Sequence, residues 1–354
     1  MPPCMGWPEG LPWDVEQGAW RQDGCHPPLN AAKGGCMFRS VIRHCPQPVC
    51  FMTRNRIALM LVLCWNLSAT LAADDGLFPR ELVEFRAARD NPVFQAAGPG
   101  HWDVRIRERG WILRDDDRYH MWFTGYDGTR EGIKQLGYAW SKDGREWTRL
   151  AANPLQRGHW IEDMMVVRHA GTLYMFAEGR GDQAQLLSSK DGVQWKRLGA
   201  LDVRQRNGSP IEAGPYGTPT AWVEDGKWYL FYERRDLGIW LASSTDMRVW
   251  THVQDHPVLS PGPHAYDRDL VALNQIVRHK GRYYAYYHGA ARAQPKTLWT
   301  TNVAVSEDLR SWTKYDRNPL FPTRTNKSSG ILVPDGGRFR LYTMHDQVHL
   351  HLPR

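Results

Sequence analysis

Beyond Cys64 the chain contains no cysteine, so nothing after it can form a disulfide or a thiolate metal site; all six (Cys4, Cys25, Cys36, Cys45, Cys50 and Cys64) lie in the first part of the sequence. Apolar runs of the ~20 residues that a transmembrane helix needs are also missing, and a mean hydropathy of −0.56 argues against a multi-span membrane protein. There are no blocks of like charge. Lys+Arg number 45 against 38 Asp+Glu, and the +7 balance is spread along the chain, which leaves nucleic acid without an electrostatic footprint. A charged share of 23% is too ordinary for a wholly disordered chain, and 32 Gly are too few for a collagen-like one. What the chain has in plenty is tryptophan, 17 residues. A buried indole N–H needs a partner, so this many point to a repeated packing position or to a sugar-binding surface.

The cysteine-bearing part ends in a second signal. Met52 opens a short basic stretch with Arg54 and Arg56, an apolar run follows from Ile57 to Leu63, and the small residues Thr70 and Ala72 precede Ala73. This is the order of a secretory signal peptide, and the run is too short to span a bilayer. The alternative, a buried strand over Ile57–Leu71, does not account for the basic pair before it and the small residues after it. We therefore expect residues 52–72 to be a signal peptide with Met52 as the true start. Residues 1–51 would be a start-site artefact or a disordered leader, and residues 73–354 one exported domain, periplasmic or extracellular and not held in the membrane after cleavage.

Within that domain an internal repeat emerges when the aromatic segments are aligned. Five copies read RYHMWFTG from Arg118, TLYMFAEG from Thr172, KWYLFYER from Lys227, RYYAYYHG from Arg282 and RFRLYTMH from Arg338, with starts 54, 55, 55 and 56 residues apart. Each follows a turn, and a short apolar segment lies before each turn, so every unit contains a β-hairpin. Ser-x-Asp turns follow four of the hairpins, at Ser141, Ser189, Ser244 and Ser306, each leading to a tryptophan: Trp147, Trp195, Trp250 and Trp312. Six residues after Trp147 and Trp312 come Asn153-Pro154 and Asn318-Pro319. The last hairpin lacks this second half, but Phe85 precedes Asn91-Pro92 by the same six residues. The expected fold is all-β, a five-bladed β-propeller in which an N-terminal strand near Leu82–Ala88 completes the last blade and removes the free sheet edges. The four turn tryptophans are expected to wedge between blades.

Polar groups at the starts of the innermost propeller strands converge at one mouth of the channel. Counting back from each hairpin, Asp103, Glu212 and Asp267 all lie 15 residues upstream; Glu108 and Glu162 lie 10 and Asp163 lies 9 upstream. Carboxylates from several blades at one mouth suit glycosidic-bond cleavage, where one acid protonates the leaving oxygen and another carboxylate activates water or attacks.

The hairpin pattern, the S-x-D-G-x-x-W turns and the Asn-Pro segments resemble those of the five-bladed propeller glycosidases (glycoside hydrolase families 43, 32, 62, 68 and 117 and their relatives) over Phe85–Arg354. The resemblance implies one acid from each of the first three blades: an Asp base or nucleophile, an Asp that orients and tunes, and a Glu acid. Asp163, at the head of the segment Met164–Val167, matches the second; Glu212, in SPIEAGPYGTP, matches the acid, although it lies further upstream of its strand than the pattern has it. Where the family has Asp-Pro in the first blade this chain has Glu108-Arg109-Gly110, so Asp103 or Glu108 has to serve. The expected catalytic set is Asp103, Asp163 and Glu212, with Glu108 and Glu162 in reserve.

Trp102, Trp160, Tyr216 and Trp222 are candidates to stack on sugar rings, with packing between blades as the alternative. His159 could hydrogen-bond a sugar hydroxyl, and Asn274, Gln275 and His288 are further substrate-binding candidates in blade four. Arg105, Arg107 and Arg109 alternate, so an extended strand would put them on one face with Asp103, there to bind an acidic sugar or to pair with local acids. The expectation is a monomeric, exported glycoside hydrolase with a carbohydrate substrate and no required cofactor, Ca²⁺ in the channel being allowed by analogy. Its rivals are a carbohydrate-binding propeller without catalysis and a phosphorylase of glycoside hydrolase family 130 type, which needs a basic phosphate site beside its acid.

Overall fold

The computed structural model describes residues 76–115 and 117–354. The expected leader and signal segment, residues 1–51 and 52–72, lie outside the described residues. The regular secondary structure of the described residues is almost entirely strand, in five sheets. Blade I comprises Trp111–Asp115, Arg118–Tyr126, Gln135–Ser141 and Thr148–Arg149, from the innermost strand outward. Blade II comprises Glu162–His169, Thr172–Gly179, Gln183–Ser189 and Lys196–Ala200. Blade III comprises Gly217–Glu224, Lys227–Glu233, Ile239–Ser244 and Val249–His252, with Asp202–Arg204 added in parallel at its outer edge. Blade IV comprises Leu270–His279, Arg282–Ala290, Thr300–Ser306 and Thr313–Lys314. Blade V is built from Gly330–Asp335, Arg338–Met344 and Val348–Pro353, and its fourth strand is Phe85–Ala87 from the other end of the sequence, with Phe85 opposite Pro353 and Ala87 opposite His351. The innermost strands of all five blades line a narrow axial cavity of about 140 Å³.

The tryptophan positions wedge the blades together. Ring pairs join Trp122 of blade I to Trp195 of blade II (6.0 Å), Phe176 to Trp250 (5.9 Å), Phe231 to Trp312 (6.3 Å), and Tyr342 of blade V to Trp147 of blade I (6.5 Å). In blade IV the residue corresponding to Trp122 is Tyr286, which packs in one apolar cluster with Phe85, and its hydroxyl donates to the Leu82 carbonyl at 2.6 Å. Phe85 thus takes the tryptophan's place in the one unit that has none. Each Ser-x-Asp segment is a side-chain-closed turn: Asp143 Oδ1 accepts from the Arg145 and Glu146 amides and the Ser141 hydroxyl accepts from the Gly144 amide, and Asp191 and Asp308 repeat the pattern. The Asn-Pro asparagines clamp a neighbouring strand through both amide atoms: Asn153 on Tyr138, Asn318 on Val303 and Asn91 on Leu350. These local devices recur at the repeat period, which is why the period was legible in the sequence.

Candidate active site

In an antiparallel hairpin the first strand starts where the second strand ends. The mouth is therefore lined both by the heads of the innermost strands and by the tails of the second strands. Aligning the hairpin registers places Arg109, Asp163, Thr218, Leu273 and Ser329 at one equivalent position. Four of these five have positive φ: Arg109 (49°), Asp163 (46°), Thr218 (46°) and Ser329 (54°). The ladder is interrupted there in blades II, III and IV. In blade I the interruption is widest: Arg105–Ile106 and Trp111–Asp115 pair with the same second strand, and Arg107–Gly110 bulges between them. Left-handed backbone is unfavourable for β-branched and bulky residues, and strain of this kind persists where surrounding contacts hold it in place.

The bulge carries Glu108 toward the mouth. Its Oε2 accepts from His345 Nδ1 at 2.8 Å, and Arg107 lies 3.8 Å from its other oxygen. Burial opposes its ionisation, but the His345 hydrogen bond and the charges of His345 and Arg107 hold its carboxyl at about 2. Burial works against charging His345 too, and Glu108 more than offsets it, raising the imidazole above its ordinary value. Asp163 is in the opposite state. It is buried, its Oδ1 has no hydrogen-bond partner, and burial together with the negative charges of Glu108 and Glu162 pushes its carboxyl well above the ordinary range. Glu162 accepts from Trp160 Nε1 at 2.5 Å and faces Arg107 Nε at 2.6 Å as an ion pair without hydrogen-bond alignment. On the far side, the second-strand tails bring in Glu178 and Glu233. Both are buried and raised chiefly by burial, and Glu178 Oε2 accepts from the Thr218 amide at 2.9 Å. Asp236 is pushed up to about 8 by burial and by Glu233. Blades IV and V contribute His288, held near 4 by burial and bonded to Asn274 Nδ2 at 2.9 Å, and Ser328, whose hydroxyl meets His345 Nδ1 at 3.0 Å. The mouth thus holds two neighbouring carboxyl groups whose titration is pushed in opposite directions, Asp163 up and Glu108 down, which is the arrangement acid/base cleavage uses.

Of the expected catalytic residues, the structure brings together Asp163, Glu108 and Glu162, and leaves Asp103 and Glu212 apart from them. Asp103 is 1% exposed and paired with Arg149 of its own blade's outer strand (3.1 Å). Asp267 does the same in blade IV with Lys314 (2.6 Å). A side chain on Gly125 or Gly289, the equivalent positions of the two second strands, would run into these aspartates, with Cβ approaches of 2.7 and 2.6 Å. The regular spacing of 15 residues therefore marks a scaffold pair. Glu212 lies on an exposed loop, where only its backbone carbonyl is bonded, to Arg234 (2.8 Å). The three arginines do not share a face, because the bulge breaks the alternation: Arg105 is exposed, Arg107 is at the mouth and Arg109 is wholly buried. Tyr216 is buried with its hydroxyl on the Leu201 carbonyl, and Trp102 packs on Phe123. His159 is exposed beside Arg197, and Gln275 ties blade IV to Leu332 of blade V through both amide atoms. Trp160, Asn274 and His288 do reach the acid cluster or its partners. Among the described residues no three His, Cys, Asp or Glu side chains are grouped to hold a metal ion, so they offer the Ca²⁺ allowed by analogy no such donor set.

Glu178 and Glu233 were not among the expected site residues. The signal for them was present: each is the seventh residue of an aromatic repeat segment, as His288 is.

No family model matches the sequence. A 1,2-β-oligomannan phosphorylase of a Thermoanaerobacter species is 26% identical over 228 residues, which are 59% of this chain and 73% of that protein. Among solved structures, a glycosyl hydrolase from Bacteroides ovatus superposes with a TM-score of 0.62 at 15% identity, over 76% of this chain and 93% of that one. A β-1,2-mannobiose phosphorylase from Listeria innocua, solved with β-1,2-mannobiose, gives 0.57 at 16% identity, over 75% and 95%. The chain shares the five-bladed β-propeller fold of these solved structures.

Proposed function

We propose that this protein cleaves β-linked mannosides at the mouth formed by blades I, II and V, with Asp163 as proton donor and inorganic phosphate as acceptor. One observation carries the cleavage reading: the buried Asp163 carboxyl, its Oδ1 without a partner, is pushed well above its ordinary range by burial and by Glu108, whose own carboxyl is pulled down to about 2. Asp163 gives its proton to the glycosidic oxygen as the bond to the anomeric carbon breaks. A phosphate oxygen forms the new bond to that carbon, and the product is a mannose 1-phosphate. Asp163 recovers a proton from solvent. Arg107 and the raised His345 supply positive charge next to this carboxyl pair, and the mannoside phosphorylases among the similar proteins support phosphate over water. Asp163 Oδ1 is buried and has no hydrogen-bond partner in the protein, which leaves its hydrogen-bonding capacity for a substrate oxygen.

Hydrolysis is the second reading, favoured by the excess of carboxylates from blades II and III and by Glu108, whose ionised oxygens could activate water instead. Incubating the protein with β-1,2-mannobiose, with and without phosphate, separates the two. Release that requires phosphate and yields sugar phosphate supports the first reading. Release of free mannose at equal rate without phosphate replaces it with the second, and no release of any sugar removes both. Export by way of residues 52–72 and action as a monomer belong to the same proposal. Expression from Met52 should give secreted protein beginning near Ala73, and N-terminal sequencing that finds residues 1–51 on the product would refute it.

A further inference from the structure

Arg109 is the largest charged side chain without solvent exposure. Among the described residues its guanidinium meets no carboxylate oxygen within hydrogen-bond distance, an unusual state for a buried cation. It donates instead to the Asp163 carbonyl of blade II, and to the Pro219 carbonyl (2.8 Å) and Thr220 hydroxyl (2.6 Å) of blade III. The Thr220 hydroxyl passes the chain on to the Leu273 carbonyl of blade IV at 3.0 Å. The backbone of Arg109 completes the circle: its amide donates to the Met344 carbonyl of blade V (2.8 Å) and its carbonyl accepts from the Met164 amide (3.1 Å). A single residue is thus bonded, directly or through one hydroxyl, to the heads of the innermost strands in blades II, III and IV and to the second-strand tail of blade V. Only its planar fork could do this; an ammonium has the charge without the span.

Two of these bonds hold Asp163. Its carbonyl receives the guanidinium, and the next amide, Met164, is bound to the Arg109 carbonyl. Asp163 is one of four residues at this position of the mouth in the left-handed region, a backbone that aspartate tolerates and that these bonds hold in place. We infer that Arg109 is the positioning residue of the site: an internal cation that joins the five blades at the mouth, locks the backbone of Asp163 with its carboxyl at the mouth, and sets that carboxyl's charge balance. This rests on Asp163 being the proton donor. The charged groups that face Asp163 are Arg107, Glu108 and Arg109 from the blade I bulge and Glu162 and Glu178 from blade II; Thr218 of blade III is neutral there.

The test compares Arg109→Lys and Arg109→Met with the wild type. Arg109→Lys keeps the charge and loses the span, so kcat on the mannoside should fall on the order of 10²-fold, as for a small misplacement of a reacting group, with KM changed little and the alkaline limb of the rate profile in place. Arg109→Met also removes a positive charge facing Asp163, so the limb should move to higher pH. Difference infrared spectroscopy of the Asp163 carboxyl, referenced to Asp163→Asn, reads the same shift without substrate. If the wild type cleaves no glycoside, the activity reading fails while the infrared comparison still decides on Arg109. Lowered melting temperature in both variants, with kcat, limb and carboxyl band unchanged, would make Arg109 a structural residue only. If neither variant folds, an experimental wild-type structure decides: Asp163 outside the left-handed region, or its carbonyl not bonded to Arg109, overturns the inference.

Discussion

Replacing Asp103 with Ala separates the scaffold role that the structure assigns to it from the catalytic role that its spacing suggested. The aspartate is 1% exposed and its Oδ2 lies 3.1 Å from Arg149 Nε, whose side chain is 32% exposed. Removing one partner of a fully buried pair costs ~3–5 kcal/mol, because a charge is left without water or partner. Arg149 can turn toward solvent, and it keeps its bond to the Gln95 carbonyl, so about 2–3 kcal/mol is the better expectation. For a domain of this size that corresponds to roughly 4–10 °C in melting temperature. Measured well below the transition, kcat/KM should stay within a few-fold of wild type, since Asp103 sits outside the Glu108–Asp163 cluster. The assay pairs thermal unfolding with mannoside cleavage at a temperature where both proteins are folded. A variant that melts like wild type but has lost turnover would refute the reasoning and return Asp103 to the catalytic set.

Three other expectations follow from the same geometry. Asp163, Glu178 and Glu233 are raised in the folded state and Asp236 is pushed to about 8, so the fold binds these protons more tightly than the unfolded chain does. Stability from them is full only below the ordinary carboxylate values of about 4 and is lost as pH rises from there through the raised values, whereas Glu108, lowered to about 2, acts in the opposite sense only below that ordinary range. Denaturant unfolding should show a less stable protein at pH 9 than at pH 5, with Glu178→Gln flattening the difference; greater stability at pH 9 would contradict this. A methyl group on Gly217 would lie 2.4 Å from Glu178 Oε2 and 2.7 Å from Glu233 Oε1, so Gly217→Ala should cost ~1–3 kcal/mol as an overpacked site and should displace the Thr218 amide from Glu178; unaltered denaturation midpoint and activity would show that the two carboxyls do not converge there. Deleting residues 78–89 removes the strand that closes blade V, together with Phe85 and the Asn91-adjacent turn, and should abolish cooperative unfolding; a sharp transition near the wild-type temperature would reject the closure.

The architecture was legible because packing and turn chemistry repeat with the blades. Trp195, Trp250 and Trp312 each meet the same aromatic position of the preceding blade, so one period of about fifty-five residues exposes strands, turns and closure together, down to Phe85 standing in for a tryptophan. The site was legible in part. Asp163 and Glu108 lie near the head of an innermost strand and could be found by counting back from the hairpins. The same count also returned Asp103 and Asp267, whose regularity comes from Arg149 and Lys314, each two residues after a turn tryptophan. Counting only upstream hid Glu178 and Glu233, which arrive from the tails of the second strands. Arg109 was misplaced because alternation assumes an unbroken strand, and the chain bulges at Arg107–Gly110. No pattern in one sequence marks which residue of a repeat will leave the ladder.

The claim on which the rest depends is that Asp163 protonates the leaving oxygen, and Asp163→Asn tests it most directly. The substitution keeps the shape of the side chain and removes the proton. With β-1,2-mannobiose and phosphate, initial rates of mannose 1-phosphate formation should fall by ~10²–10⁴-fold, while an aryl β-mannoside, whose leaving group needs little protonation, should lose much less. Because the un-ionised form is already neutral, the fold should be at least as stable as wild type at alkaline pH. An Asp163→Asn protein that forms sugar phosphate from mannobiose at the wild-type rate would contradict the account.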